Sequence, residues 1–80
     1  MDRSEILNQL NIIFIEELDV DGLKLSPATT ANDVDGWDSL THIQLVVAIE
    51  KYFKIRFTAK EIQSWKNVEE LIESILIKKV

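Results

Sequence analysis

The chain has 80 residues, 46% hydrophobic and 29% charged, with two glycines and one proline, which suits one small folded domain rather than a disordered or linker-like chain. The absence of cysteine excludes a disulfide framework, a zinc–thiolate site and a cysteine nucleophile, and the single histidine leaves little for metal binding or acid–base catalysis near neutral pH. A net charge of −5 disfavours nucleic-acid phosphate and suits a basic partner surface.

In the first stretch, Ile6, Leu7, Leu10, Ile13, Phe14 and Leu18 recur at helical spacing, behind Asp2 and Glu5 in capping-box register. The start of the chain lacks a charged-then-apolar export signal, and runs such as Leu45 to Ile49 are too short for a bilayer, so a cytoplasmic protein without membrane insertion is expected. Residues 19–38 lack periodicity. Val20, Leu23, Leu25 and Val34 are positioned to pin this long loop to the core, and Ser26-Pro27 reads as the start of a helical turn within it.

A second helix is expected from about Ser39 to Phe53, capped by Asp38. A short third follows Thr58 with Glu61 in capping-box register. The fourth follows Asn67, with Glu70 at the matching offset, and should bury Val68, Leu71, Ile72, Ile75 and Leu76. Apart from a brief extended Ile55-Arg56-Phe57, no segment reads as strand. The expected fold is all-α: a small four-helix bundle, three longer helices plus one short, with a long loop between the first two.

The second helix has two apolar stripes. Leu45, Val46, Ile49, Tyr52 and Phe53 share one side, while Leu40, Ile43 and Val47 lie nearly opposite, beside Gln44, Glu50 and Lys51. Either the helix is central, or the second stripe meets a partner. Charge is also uneven: residues 16–50 hold eight acids and one base, whereas residues 51–80 hold seven bases and four acids. The acidic stretch reads either as solvated loop and helix ends or as a docking face.

The repeated Asp19-Val20-Asp21-Gly22 and Asp33-Val34-Asp35-Gly36 suggest calcium loops, but the closing carboxylate position falls on Ala28 and His42, so these read as acidic turns and no metal is expected. Ser39 and His42 lie three apart at a helix start. The flanking Trp-Asp-Ser-Leu-Thr is no nucleophile elbow, and His42 falls on the core stripe, so it reads as a packing residue. Ser39 itself sits where free amides and the helix dipole favour an attached phosphate, with Gly36 leaving room for a modifying enzyme.

Gly36-x-Asp38-Ser39-Leu40 at the start of the second helix resembles the attachment motif of acyl carrier proteins. Leu25-Ser26-Pro27-Ala28-Thr29-Thr30 resembles their loop and Leu40 to Ile55 their second helix, so the likeness covers nearly the whole chain as one carrier domain, residues 1–80. The resemblance implies that a phosphopantetheinyl transferase attaches 4′-phosphopantetheine from coenzyme A to Ser39 through a phosphodiester. The arm's thiol would hold an acyl group as a thioester for acyl-loading and acyl-transferring enzymes, and the chain itself would be a monomer without catalytic activity. Asp38, Leu40, Ile43, Gln44, Val47 and Glu50 would form the recognition surface, with Trp37 either contacting partners or packing on the loop. Leu45, Val46, Ile49, Ile62 and Leu71 would line an acyl cleft. Fatty-acid carriers usually place acids two and five residues after the serine; here those positions are Thr41 and Gln44. That departure points to a specialised carrier of polyketide, lipid or cell-surface glycan chemistry. An aminoacyl or D-alanyl carrier and a non-catalytic helical adaptor are the alternatives.

Overall fold

A computed structural model of the chain describes residues 2–79. Four α-helices are present among the described residues: α1 (Arg3–Leu18), α2 (Ser39–Phe53), α3 (Ala59–Ser64) and α4 (Val68–Lys79). There is no strand among the described residues, and residues 55–57 are irregular. The expected all-α bundle, with three longer helices and one short, is therefore the observed one.

The helix starts are built as their capping residues dictate. The Asp2 carboxylate accepts the Glu5 N–H at 2.9 Å. Thr58 and Glu61 close a reciprocal box around the start of α3, with bonds of 3.1 and 2.8 Å. At α4, Asn67 Oδ1 accepts from the Glu70 N–H, while the Glu70 carboxylate turns to the Lys66 N–H instead of completing the box on Asn67. The C-termini of α1 and α2 are closed by Asp19 and Lys54, both left-handed at φ 53° and 59°.

The core is a single layer of side chains between α1, α2 and α4. Ile6, Leu10, Ile13 and Phe14 of α1 meet Leu45, Ile49 and Phe53 of α2 and Val68, Leu71, Ile72 and Ile75 of α4. The long loop contributes Leu25 and Val34 to this core, and Leu23 packs half-buried against it; Val20 is half-buried. Polar bonds hold the same loop. Leu25 N–H donates to Asn11 Oδ1 at 2.7 Å, and the Pro27 and Thr29 carbonyls accept the first α4 amides, Glu69 N–H at 2.8 Å and Val68 N–H at 2.9 Å. The loop thus satisfies a helix start that would otherwise leave unpaired donors. Arg3 bridges to Glu69 and Glu73, joining the starts of α1 and α4 at an exposed position.

Three expectations need correction. Tyr52 is 50% exposed, because the buried arc of α2 is narrow and Phe53 fills it; the Tyr52 ring packs edge-on against Phe53 at 4.9 Å. Leu76 is half-buried beside the core. Ser26-Pro27 opens a tight turn rather than a helical one: Thr29 Oγ1 accepts the Ser26 N–H and the Thr29 N–H returns to the Ser26 carbonyl. A 3-10 turn occurs instead at Ala31–Asp33, with Thr30 and Asp33 as its capping pair.

Candidate functional site

Ser39 is the first residue of α2 and is exposed. The approach to it is set by Gly36, whose φ of 86° suits glycine; no atom lies within 4 Å of where a Cβ would sit. That glycine therefore serves the turn's conformation, and no crowding inside the protein demands it. The two acidic tetrapeptides behave as turns, with Asp19 capping α1, Asp33 capping the 3-10 turn, and both glycines at positive φ. No cluster of three or more metal-ligating side chains is present among the described residues.

Asp38 caps α2, accepting from the Leu40 N–H at 3.0 Å and the Thr41 N–H at 2.9 Å. Thr41 reciprocates: its Oγ1 accepts the Asp38 N–H at 2.8 Å and its hydroxyl bonds the Gly36 carbonyl. Thr41 is thus the partner in a cap that fixes the turn before Ser39. The expectation of free amides beside Ser39 is corrected in part: Asp38 takes the Leu40 and Thr41 N–H groups, which leaves the Ser39 N–H and the helix dipole for an anion.

The Thr41 N–H holds the Asp38 carboxyl below the ordinary carboxylate range, with the Thr41 hydroxyl and the Leu40 N–H adding to it against an opposing desolvation. A lowered folded value means that this stabilisation is present above the unfolded pKa of about 3.9 and is lost as pH falls through the folded value. Asp38→Ala should therefore melt below wild type at pH 7, with the gap narrowing as the pH falls from about 4 through the folded value. Thermal melts of both proteins across that range check it; a gap that stays constant contradicts it.

His42 is half-buried and carries a network across the site. Trp37 Nε1–H donates to His42 Nδ1 at 3.0 Å, so Nδ1 is the acceptor and the imidazole proton sits on Nε2, 3.3 Å from the Ile62 carbonyl. Both ring nitrogens are committed, so His42 is not available as a base for Ser39. Trp37 packs edge-on against Phe14 of the core at 4.8 Å and stacks with His42 at 6.0 Å; His42 meets Trp65 edge-on at 5.9 Å. Trp65 is held by its own bond to Ser74 Oγ at 2.8 Å. Trp37 therefore packs on the core side of the site, against Phe14 and His42.

These side chains wall a cavity of about 480 Å³ between α2, α3 and the loop. Its lining includes Trp37, His42, Ile43, Ile62, Trp65 and Leu71, and the exposed Asp38 and Ser39 stand at its edge. Of the expected cleft residues, Ile62 and Leu71 line it. Leu45, Val46 and Ile49 do not, because all three are buried beneath the surface of α2. Helical phase separated α2 into sides but carried no information on where α3 lies, which is why Trp37, His42 and Trp65 were not anticipated as walls.

The outward stripe of α2 is exposed as expected, with Leu40, Ile43 and Val47 at 71%, 54% and 44%. Gln44 is also exposed. Glu50 departs from its expected place on the recognition surface: it is half-buried, and its Oε2 accepts the Phe57 N–H at 2.8 Å, tying the α2–α3 connection.

A small helical bundle with an exposed serine opening its second helix, beside an apolar cavity and an uncovered apolar stripe, defines a carrier-type domain. Comparison with known proteins is specific. The phosphopantetheine attachment site family matches residues 8–75. Acyl carrier proteins of Thermosynechococcus vestitus and Guillardia theta are each 33% identical over 76 residues, covering 94% of this chain and 93% of theirs. The solution structure of the holo acyl carrier protein of Geobacter metallireducens superposes with a TM-score of 0.84 at 42% identity, covering 90% of this chain and 83% of that one. The chain belongs to the phosphopantetheine attachment family. Its function is that of an acyl carrier, and its prosthetic group is covalent phosphopantetheine.

Proposed function

We propose that Ser39 is the residue that receives the arm, and that the chain acts as a specialised, non-catalytic carrier in the cytoplasm. The observation that carries this reading is the exposed Ser39 at the first position of α2, on the edge of the 480 Å³ cavity. The residues present suit the group: the serine offers a hydroxyl, the start of α2 favours a phosphodiester, and the cavity offers apolar walls to a pantetheine or acyl chain. When bound, the arm supplies a thiol that holds the cargo as a thioester. The chain's own residues orient the attachment point through the Asp38–Thr41 cap and keep the cavity open through the Trp37–His42–Ile62 bonds.

Partners on this reading are a phosphopantetheinyl transferase and the enzymes that load and unload the arm. They would meet α2 through Leu40, Ile43, Gln44 and Val47. Thr41 and Gln44, where fatty-acid carriers usually have acids, favour a partner set other than that of fatty-acid synthesis. Among the described residues no helix is long and apolar enough to cross a membrane.

Incubation with coenzyme A and a broad-specificity phosphopantetheinyl transferase should add one phosphopantetheine, on the proteolytic peptide that contains Ser39. Failure of several such transferases to modify folded protein, or modification on another peptide, overturns the assignment. Val47→Glu should lower kcat/KM for that transfer by about tenfold or more, the scale of a docking anchor, with an unchanged melting temperature. A large fall in melting temperature would instead place Val47 in the fold's own packing.

A further inference from the structure

The charge balance of the chain changes sign at the C-terminal end of α2, with eight acids and one base over residues 16–50 and seven bases and four acids over residues 51–80. A groove there is lined by Val47, Glu50, Lys51, Lys54, Ile55 and Arg56. Its one carboxylate, that of Glu50, is on a half-buried residue and accepts the Phe57 N–H, so three bases stand against one acid there. The three bases are exposed, and the ion pairs among the described residues join Arg3 to Glu69 and Glu73 and Lys78 to Glu61, which leaves these bases unpaired. A base in the last helical turn complements the helix dipole, which accounts for Lys51; Arg56 lies beyond the helix and has no such use. At the other end of α2, Asp38 is drawn into its own cap. The apolar stripe of Leu40, Ile43 and Val47 therefore runs into concentrated positive charge, on a chain whose net charge is −5.

We infer that this groove docks an acidic surface segment of an enzyme that loads the arm, with an apolar side chain against Val47 and Ile55 and carboxylates facing Lys51, Lys54 and Arg56. The inference rests on the carrier reading and adds a charge rule to it. Carboxylates opposite three unpaired bases speed encounter and fix register, whereas a basic segment at the same place is repelled. The groove's apolar residues and its continuity with the stripe favour a protein surface. A polyanionic membrane or nucleic acid would be repelled by the remaining acids.

The test compares three holo proteins: wild type, Lys51→Glu/Arg56→Glu, and Lys24→Glu/Lys60→Glu, the last two with the same change in net charge. Lys54 is left alone because its left-handed backbone is part of the helix end. Each is incubated with soluble extract of the source organism, and intact mass follows the acyl-loaded fraction with time. The groove variant should load about tenfold more slowly than wild type, while the control loads within about twofold. Raising salt from about 0.05 to 0.3 M should slow wild-type loading and leave the groove variant nearly unaffected. Lys51→Gln/Arg56→Gln should fall between the two and guards against a folding effect, as do melting temperatures. Wild-type loading by the groove variant, or equal slowing of the control, overturns the inference. So does binding of wild type to phosphatidylserine vesicles that the groove variant loses while its loading is normal. Failure to form holo protein at Ser39 is a different result, and it overturns the carrier assignment itself.

Discussion

Ser39→Ala is expected to abolish arm attachment completely while leaving the fold intact. The two halves of that expectation have separate physical grounds. Attachment needs a nucleophilic oxygen at one place, and neither the cap nor the cavity substitutes for it. The other nearby hydroxyl, Thr41 Oγ1, is bonded to the Gly36 carbonyl and the Asp38 N–H. The fold, in contrast, asks nothing of the Ser39 side chain. Asp38 and Thr41 make the cap, Ser39 is exposed, and alanine is the better helix former. The variant should melt at or slightly above the wild-type temperature, and intact mass after incubation with coenzyme A and transferase should show no addition. Residual single modification in the variant would move the attachment point elsewhere.

Much of this site lay open in the sequence because it is local. The Asp38 cap, the Thr58–Glu61 box and the α2 boundaries depend on residues two to four apart, so spacing alone carries them. The outward stripe of Leu40, Ile43 and Val47 was readable for the same reason, since one helix's period fixes which residues share a face. Thr41 was visible only as a missing acid. Its role needed the turn geometry that brings Gly36 and Asp38 within reach of one hydroxyl.

What the sequence withheld joins elements whose placement is tertiary. Trp37 to His42 is a short step along the chain, but His42 to Ile62 crosses twenty residues and depends on how α3 lies against α2. The cavity is the space that this placement leaves, so no pattern within one helix describes its walls. Glu50 illustrates the same point for charge. Its position counted it among recognition acids, and only the course of the α2–α3 connection shows that its carboxylate is spent on Phe57. With the Asp38 and Glu50 carboxylates both bonded to backbone amides, the recognition helix carries an acid at its capped start and three bases around its end, which composition alone concealed.

Phe14→Ala, in α1, should have the largest effect on stability. Phe14 is fully buried in the common core, and truncating such a ring costs about 3–5 kcal/mol. A domain of this size holds only about 4–12 kcal/mol in total, so the melting temperature should fall by about 15 °C or more. The loss also reaches the site. Phe14 is the edge against which Trp37 packs at 4.8 Å, and the Trp37 indole N–H is what fixes His42 and, through it, the Ile62 carbonyl. Phe14→Leu separates the two consequences: it keeps most of the buried volume and gives up the aromatic contact, worth about 0.5–1.5 kcal/mol. The leucine variant should stay folded, yet the NMR signal of the Trp37 indole N–H should move or broaden, because the ring that holds it in place is gone. A leucine variant with an unmoved indole signal would show that His42 alone positions Trp37, and a small fall in melting temperature for alanine would contradict the packing described for α1.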